Sequence, residues 1–282
     1  MTHPRLLPAR SDLAAAHLKG QVDAARFVEP VDMQVTEGIA AIRREPRHDG
    51  PMDTQALFGE VFAVLEEKNG WVWGFSRHDG YVGWVDMAAL SGRVAKPSHR
   101  VSALRTYLFS EPDLKSAPHD QLSMNSKISA GKTQGRFVDA GGTGWVFEGH
   151  LVPIDDAAPD FVAVAERFVG APYQWGGKES AGLDCSGLVQ TSLEAAGIAA
   201  LRDTDMQEGE FAERFTQIGN DATRQRGDIV FWAGHVGIMV DDHRILHANA
   251  HFMETVIEPA AETTRRAAQN DSPVTSVIRM KA

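Results

Sequence analysis

A single cysteine in 282 residues leaves no partner for an internal disulfide. It also excludes zinc sites built on several thiolates, and neither a metal nor an organic cofactor is expected. No run of 18 or more apolar residues exists, so no membrane span is expected. A signal-peptide core is missing too: Leu13-Ala14-Ala15-Ala16 is broken by His17 and Lys19. There is no basic excess. The net charge is −10, with both signs mixed along the chain, which argues against nucleic acid as a partner. These absences lead to the expectation of a soluble cytoplasmic protein with neither a membrane nor a nucleic-acid partner. The length allows two or three domains.

What is present begins with an internal repeat. Gly80-Tyr81-Val82-Gly83-Trp84-Val85, followed by Leu90, recurs as Gly141-Gly142-Thr143-Gly144-Trp145-Val146, followed by Leu151. Short strands between Gly, Asp and Pro turns surround each copy, as in 60–65 and 70–75 of the first and 127–130 and 136–138 of the second. The profile is that of small β-barrels, and the paired Gly-x-x-Gly-Trp-Val strands resemble bacterial SH3-like domains. They are placed at 31–93 and 94–154, with Trp71, Trp73, Trp84 and Trp145 as barrel core rather than ligand platforms. Residues 1–30 form an arm with one short helix, Leu13–Leu18, capped by Ser11 or Asp12. The Pro- and Asp-bearing linker 153–159 opens a last domain at 155–282.

In that domain Phe161, Val164, Ala165 and Phe168 recur at helical spacing. A second helix is predicted from Cys185 to Ala196, closed by Gly197. A turn-rich middle precedes strands at 229–232, 235–240 and 244–249. Helices first and antiparallel strands second is an α+β order.

Cys185 thus opens a helix, where the partial positive charge of the N-terminus lowers a thiol's pKa. Its polar neighbours Asp184 and Ser186 argue against a cysteine that merely packs in an apolar site. His235 and His247 lie on successive strands. A hairpin centred on Asp242 puts His235 opposite Asn249 and His247 opposite Gly237, so the two histidines sit diagonally on one face. His235 is then the general base and His247 the group that orients it. His251 shares the parity of His247 and competes for the second role. The expectation is an enzyme with a cysteine nucleophile.

Pro172-Tyr173-x-Trp175-Gly176-Gly177, Asp184-Cys185-Ser186-Gly187-Leu188-Val189, Gly227-Asp228-Ile229-Val230-Phe231 and His235-Val236-Gly237-Ile238 together resemble the NlpC-type cell-wall cysteine peptidases. The resemblance implies a circularly permuted papain-like domain that cleaves after γ-D-glutamate in peptidoglycan stem peptides. It assigns catalysis to Cys185, His235 and His247, with the Cys185 N–H and the Tyr173 hydroxyl as oxyanion donors. Two SH3-like domains before the peptidase resemble the γ-D-glutamyl-L-diamino acid endopeptidase subgroup, which takes stem peptides with a free N-terminal L-alanine. There a Glu and a Tyr of the first SH3-like domain reach the peptidase groove; Leu57-Phe58-Gly59-Glu60 and Asp79-Gly80-Tyr81 carry these over to Glu60 and Tyr81. The second repeat has Gly142 in place of Tyr81. Asp184 opposes ionisation of its neighbour thiol unless a cation docks there, so a substrate ammonium is expected beside it, shared with Glu60; a plain N-cap is the other reading. Ser186 is grouped with these ligands. Arg202, Asp203 and Thr204 resemble the family's Arg-Asp-Ser segment, expected to bind a substrate carboxylate, although a surface arginine reads Arg202 equally well. The implied partner is the muropeptide L-Ala-γ-D-Glu-diamino acid, in cytoplasmic murein recycling. A secreted peptidase cutting intact wall, a non-catalytic wall-binding protein, and an amidase or acyltransferase on the same scaffold are the alternatives.

Overall fold

The computed structural model describes residues 3–280 and divides into two compact units, 1–155 and 156–282. The first holds the arm and both barrels. In the arm, β1 (Ala14–Ala15) pairs in parallel with β2 (Phe27–Val28). The first barrel is a seven-stranded sheet of β3 (Val31–Val35), β4 (Ile39–Arg43), β5 (Met52–Leu57), β6 (Val61–Lys68), β7 (Trp71–Ser76), β8 (Val82–Asp86) and β9 (Leu90–Ser91), in the order β5-β4-β8-β7-β6-β3-β9. Trp73 and Trp84 face each other across β7 and β8.

The arm departs from its expected helix. Leu13, Ala14 and Ala15 are fully buried, with Ala14–Ala15 in a short strand, and within 13–18 only Ala16–Leu18 make a 3-10 turn. Leu13, Ala15 and Leu18 pack with Trp71, Trp73 and Trp84, so burial on the barrel overrides helix propensity. Arg10 stacks over Trp73 at 4.2 Å and pairs with Glu66 at 2.6 Å.

The second barrel is built from β10 (His99–Val101), β11 (Arg105–Phe109), β12 (Pro118–Ser123), β13 (Lys127–Ile128), β14 (Ala130–Gln134), β15 (Phe137–Ala140), β16 (Trp145–Phe147) and β17 (Leu151–Pro153). They form sheets β12-β11-β16-β15-β14 and β13-β10-β17. The sequence repeat is a structural one: β8 and β16 each lead through a 3-10 turn into β9 and β17. Trp145 departs from its expected core place; it is half-buried, with the Lys132 Nζ 5.4 Å above its ring.

The barrels share side chains. Phe58, from the turn after β5, lies in the second barrel's core with Val101, Leu108, Leu122, Ile128 and Val146. Its carbonyl accepts the Lys127 N–H at 2.8 Å. Gly59 follows at φ +79°, where a Cβ would stand 2.0 Å from the Lys127 carbonyl oxygen, so only glycine fits.

In the second unit, α1 (Phe161–Glu166) is capped by Asp160. A small hairpin of β18 (Lys178–Glu179) and β19 (Gly182–Leu183) leads into α2 (Cys185–Ala195), with Gly197 at φ +74° past its end. Then come α3 (Thr204–Arg214), β20 (Thr216–Ile218), β21 (Asp228–Trp232), β22 (His235–Met239), β23 (Arg244–Asn249), β24 (Glu254–Pro259), α4 (Ala260–Ala268) and β25 (Val274–Arg279). The antiparallel sheet runs β20-β25-β21-β22-β23-β24. One face buries Val230, Trp232, Met239, Ile245 and Val277 with Ala260 and Ala267 of α4. By strand alternation Ile229, Phe231, Ile238 and Leu246 turn to the other face, where Phe211 of α3 meets Phe231 at 6.1 Å. Three helices precede the six-stranded sheet, as the helices-then-sheet order of the sequence predicts, but α4 is inserted between β24 and β25.

Candidate active site

The α2 N-terminus places the nucleophile. Asp184 is the N-cap, its Oδ1 accepting the Gly187 N–H at 2.7 Å. Cys185 follows as the first helical residue, so its own N–H has no intrahelical acceptor. Its sulfur sits 3.8 Å from the Thr204 hydroxyl and against the backbone N–H groups of Ser186 and Val236. A cleft of about 310 Å³ is lined by Cys185, Tyr173, His235, Asn249, His251 and Trp232, among others.

The hairpin register is the one expected. Ile238 pairs with Leu246 and Met239 with Ile245, which centres the turn on Asp242. Both histidines therefore lie on one face, and His235 Nε2 is 2.8 Å from His247 Nδ1. Gly237, opposite His247, makes room for that ring; a Cβ there would lie 2.7 Å from Ile245 Cδ1 and 3.3 Å from His247 Cβ. His247 is fully buried. His251 lines the cleft, while His247 is the residue hydrogen-bonded to the His235 ring.

The electrostatics differ from expectation. Burial, then Asp184, pushes the Cys185 thiol up to about 11, and the Thr204 hydroxyl with two backbone N–H groups offsets only part of this. The helix N-terminus does not win, because the sulfur is nearly out of water. Burial also lowers both histidines below their ordinary value; Glu258 pulls His247 back only partly. The resting pair is thus a neutral thiol and a neutral imidazole. Burial, with Cys185 and Asp184, raises Tyr173, so its hydroxyl stays a donor.

Beside Asp184 the structure places a cation of the chain's own, Arg202. Its Nη1 reaches Asp184 Oδ1 at 2.9 Å and its Nη2 reaches Oδ2 at 2.8 Å. Asp184 Oδ2 also accepts the Gly176 N–H at 2.8 Å, and Oδ1 the Ser186 hydroxyl at 3.2 Å. Arg202 is not a surface residue. It is fully buried, and it also contacts the Ser186 hydroxyl at 2.8 Å and the Gly177 carbonyl at 3.0 Å. Ser186 is consumed by the same cluster. Gln207 closes it from α3, donating to the Ser186 and Leu201 carbonyls. Thr204 does come to the sulfur. Asp203 is the α3 N-cap residue without a side-chain capping bond.

In the N-terminal unit, Glu60 is 2 % exposed. Its Oε2 accepts the Leu57 N–H at 3.0 Å, and Oε1 lies 3.9 Å from Lys127 Nζ and 4.0 Å from His78 Nδ1. Tyr81 is equally buried, its N–H bound to Asp79 Oδ1 at 3.1 Å.

Sequence reasoning missed Glu258, Thr263 and Arg266. Glu258 Oε1 lies 2.9 Å from His247 Nε2 and accepts the Thr263 hydroxyl at 2.9 Å. Arg266 pairs with the same carboxylate. The signal for Glu258 was parity: Val256 pairs with His247, so Glu258, two along on β24, shares its face.

A thiol beside an oriented imidazole, with an N–H and a hydroxyl for a developing oxyanion, suits attack on an acyl carbon and defines a cysteine hydrolase. Comparison with known proteins narrows this class. Residues 170–267 match the NlpC/P60 family, and residues 42–90 match the bacterial dipeptidyl-peptidase Sh3 domain. The C-terminal domain is thus of the NlpC/P60 cysteine-peptidase type, and an SH3 domain stands before it. The chain is 28% identical over 223 residues to a gamma-D-glutamyl-L-lysine dipeptidyl-peptidase of Bacillus subtilis, covering 71% of this chain and 73% of that one. It is 37% identical over 94 residues to the bifunctional muramidase/DL-endopeptidase CwlT of Bacillus subtilis, covering 30% and 27%. A crystal structure of an NlpC/P60 family protein from Bacillus cereus shares the fold, with a TM-score of 0.74 at 19% identity over 88% of this chain and 99% of that one.

Proposed function

We propose that the enzyme hydrolyses the γ-D-glutamyl–L-diamino acid bond of peptidoglycan stem peptides carrying a free N-terminal L-alanine. The observation that carries this reading is the similarity to a gamma-D-glutamyl-L-lysine dipeptidyl-peptidase over 71% of this chain, more than the peptidase domain spans. Cys185 Sγ attacks the γ-glutamyl carbonyl as His235 takes its proton. The oxyanion is held by the Cys185 N–H and the Tyr173 hydroxyl. His235 then protonates the leaving amine, and water hydrolyses the thioester. With Asp184 paired to Arg202, amine recognition is assigned to Glu60 and Tyr81, on the resemblance of their motifs alone. The role is murein-peptide recycling in the cytoplasm, where a lone thiol stays reduced.

The test offers L-Ala-γ-D-Glu-diamino acid tripeptide and its N-acylated twin. Cleavage of the free-amine peptide, lost with Cys185→Ala, is the expected result. Equal cleavage of both peptides would replace this reading with a wall endopeptidase of the CwlT kind. Cleavage of neither would remove the substrate assignment.

A further inference from the structure

We propose that Glu258 is a positioning residue of the catalytic relay, fixing the tautomer of His247 and, through it, that of His235. The inference rests on the reading of Cys185 and His235 as nucleophile and base, and it adds a fourth member to that set.

The argument is one of donors and acceptors. Glu258 receives the Thr263 hydroxyl at 2.9 Å on Oε1, and Arg266 donates to both its oxygens, Nη1 reaching Oε2 at 3.3 Å. Burial works against its charge, but the Arg266 and Thr263 hydrogen bonds prevail and hold the carboxyl below its ordinary range. An ionised carboxylate only accepts. His247 Nε2, 2.9 Å from Oε1, must therefore be the donor. A neutral ring with its proton on Nε2 has a bare Nδ1. That Nδ1 is 2.8 Å from His235 Nε2, so His235 must carry its own proton there. One nitrogen of His235 remains able to accept a proton: Nδ1. The direction of two hydrogen bonds thus travels from β24 through β23 to β22, and it leaves the base ready to take the thiol proton.

The groups facing this chain of bonds have consistent parts. Asn249 Nδ2, a donor, lies 3.4 Å from the bare His247 Nδ1, which can accept from it; its 3.3 Å approach to the protonated Nε2 is a contact of two donors and no hydrogen bond. Arg266, held over Phe252 at 5.3 Å, neutralises Glu258. A neutralised carboxylate is a weak base, so the proton taken from Cys185 stays on the imidazoles. From the cleft side the neighbours are Cys185, Tyr173 and His251.

The tautomers can be read without substrate, in long-range ¹H–¹⁵N spectra of the ¹⁵N-labelled full chain at a pH where both rings are neutral. Signals are assigned with His235→Gln and His247→Gln. The expected result is Nε2–H on both rings. Either ring mainly in the Nδ1–H form overturns the proposal, whatever any variant does. In Glu258→Gln the rings should become tautomer mixtures, since an amide can donate or accept. Its kcat should fall about tenfold to a hundredfold, short of the ~10²–10⁴-fold that a general base contributes, with KM little changed. Glu258→Asp should regain part of the loss. A Glu258→Gln enzyme with wild-type kcat and unmixed tautomers also overturns it. A chain that cleaves no muropeptide yet shows Nε2–H on both rings loses the proposed substrate and keeps the relay.

Discussion

At the scale of the residue, the decisive balance is between burial and the helix terminus at Cys185. A helix N-terminus stabilises a neighbouring anion by at most about 2 kcal/mol, and a buried sulfur beside a carboxylate loses more than that. The thiol is raised to about 11, not lowered. Alkylation of Cys185 by iodoacetamide should therefore be slow at neutral pH and climb through the alkaline range, above the ~8.5 midpoint of a free thiol. Mass spectrometry of the modified peptide gives the rate; a plateau already at neutral pH would mean a resting thiolate–imidazolium pair. The lone cysteine and its polar flanks were legible in the sequence. Its pKa was not, because Arg202 and Thr204, which complete the surroundings, come from a segment that reads as turn.

At the scale of elements, the hairpin was the most legible part. Strand parity is strict, so one turn centre fixed which histidines share a face. β24 was harder to place, because the segment between Asn249 and Glu254 contains a left-handed residue, Met253 at φ 55°, and Glu258 has no meaning until Val256 is known to face His247. Helix α3 escaped because Gly209 interrupts it and Met206, Gln207 and Phe211 are almost its whole buried stripe. Helix α4 hid for a related reason: its inward residues, Ala260, Thr263 and Ala267, are small. The paired strands also carry a pH dependence. His235 and His247 are both depressed from 6.5. Below about pH 6.5 the unfolded chain binds protons that the folded chain refuses. Stability contributed by the neutral pair is thus present above that pH and is lost as pH falls through the depressed folded values. The urea midpoint should drop on acidification, and a His235→Gln/His247→Gln double variant should drop less steeply. Parallel titration curves for the two proteins would remove this account.

At the scale of the whole molecule, the second barrel has a structural part to play that the sequence left open. Phe58 reaches into its core, and the Lys127 backbone grips the turn that ends in Glu60. The Leu57-Phe58-Gly59-Glu60 segment is thus as much a barrel-to-barrel joint as a candidate ligand motif. Phe58→Ala should cost the N-terminal unit about 3–5 kcal/mol, as for other buried aromatics. Denaturant unfolding of the full chain, followed by tryptophan fluorescence, would show it. The catalytic unit should keep its own transition, and an unchanged midpoint in the N-terminal unit would show that the joint carries no stability.

The carboxylate beside the nucleophile has one more consequence. Peroxide attacks thiolates, and the resting enzyme offers almost none. With one cysteine in the chain, a sulfenic acid formed at Cys185 has no internal thiol to rescue it as a disulfide, and further oxidation is permanent. The pairing of burial with Asp184 that makes the sulfur sluggish at rest also protects it: the nucleophile is exposed to oxidants mainly during turnover.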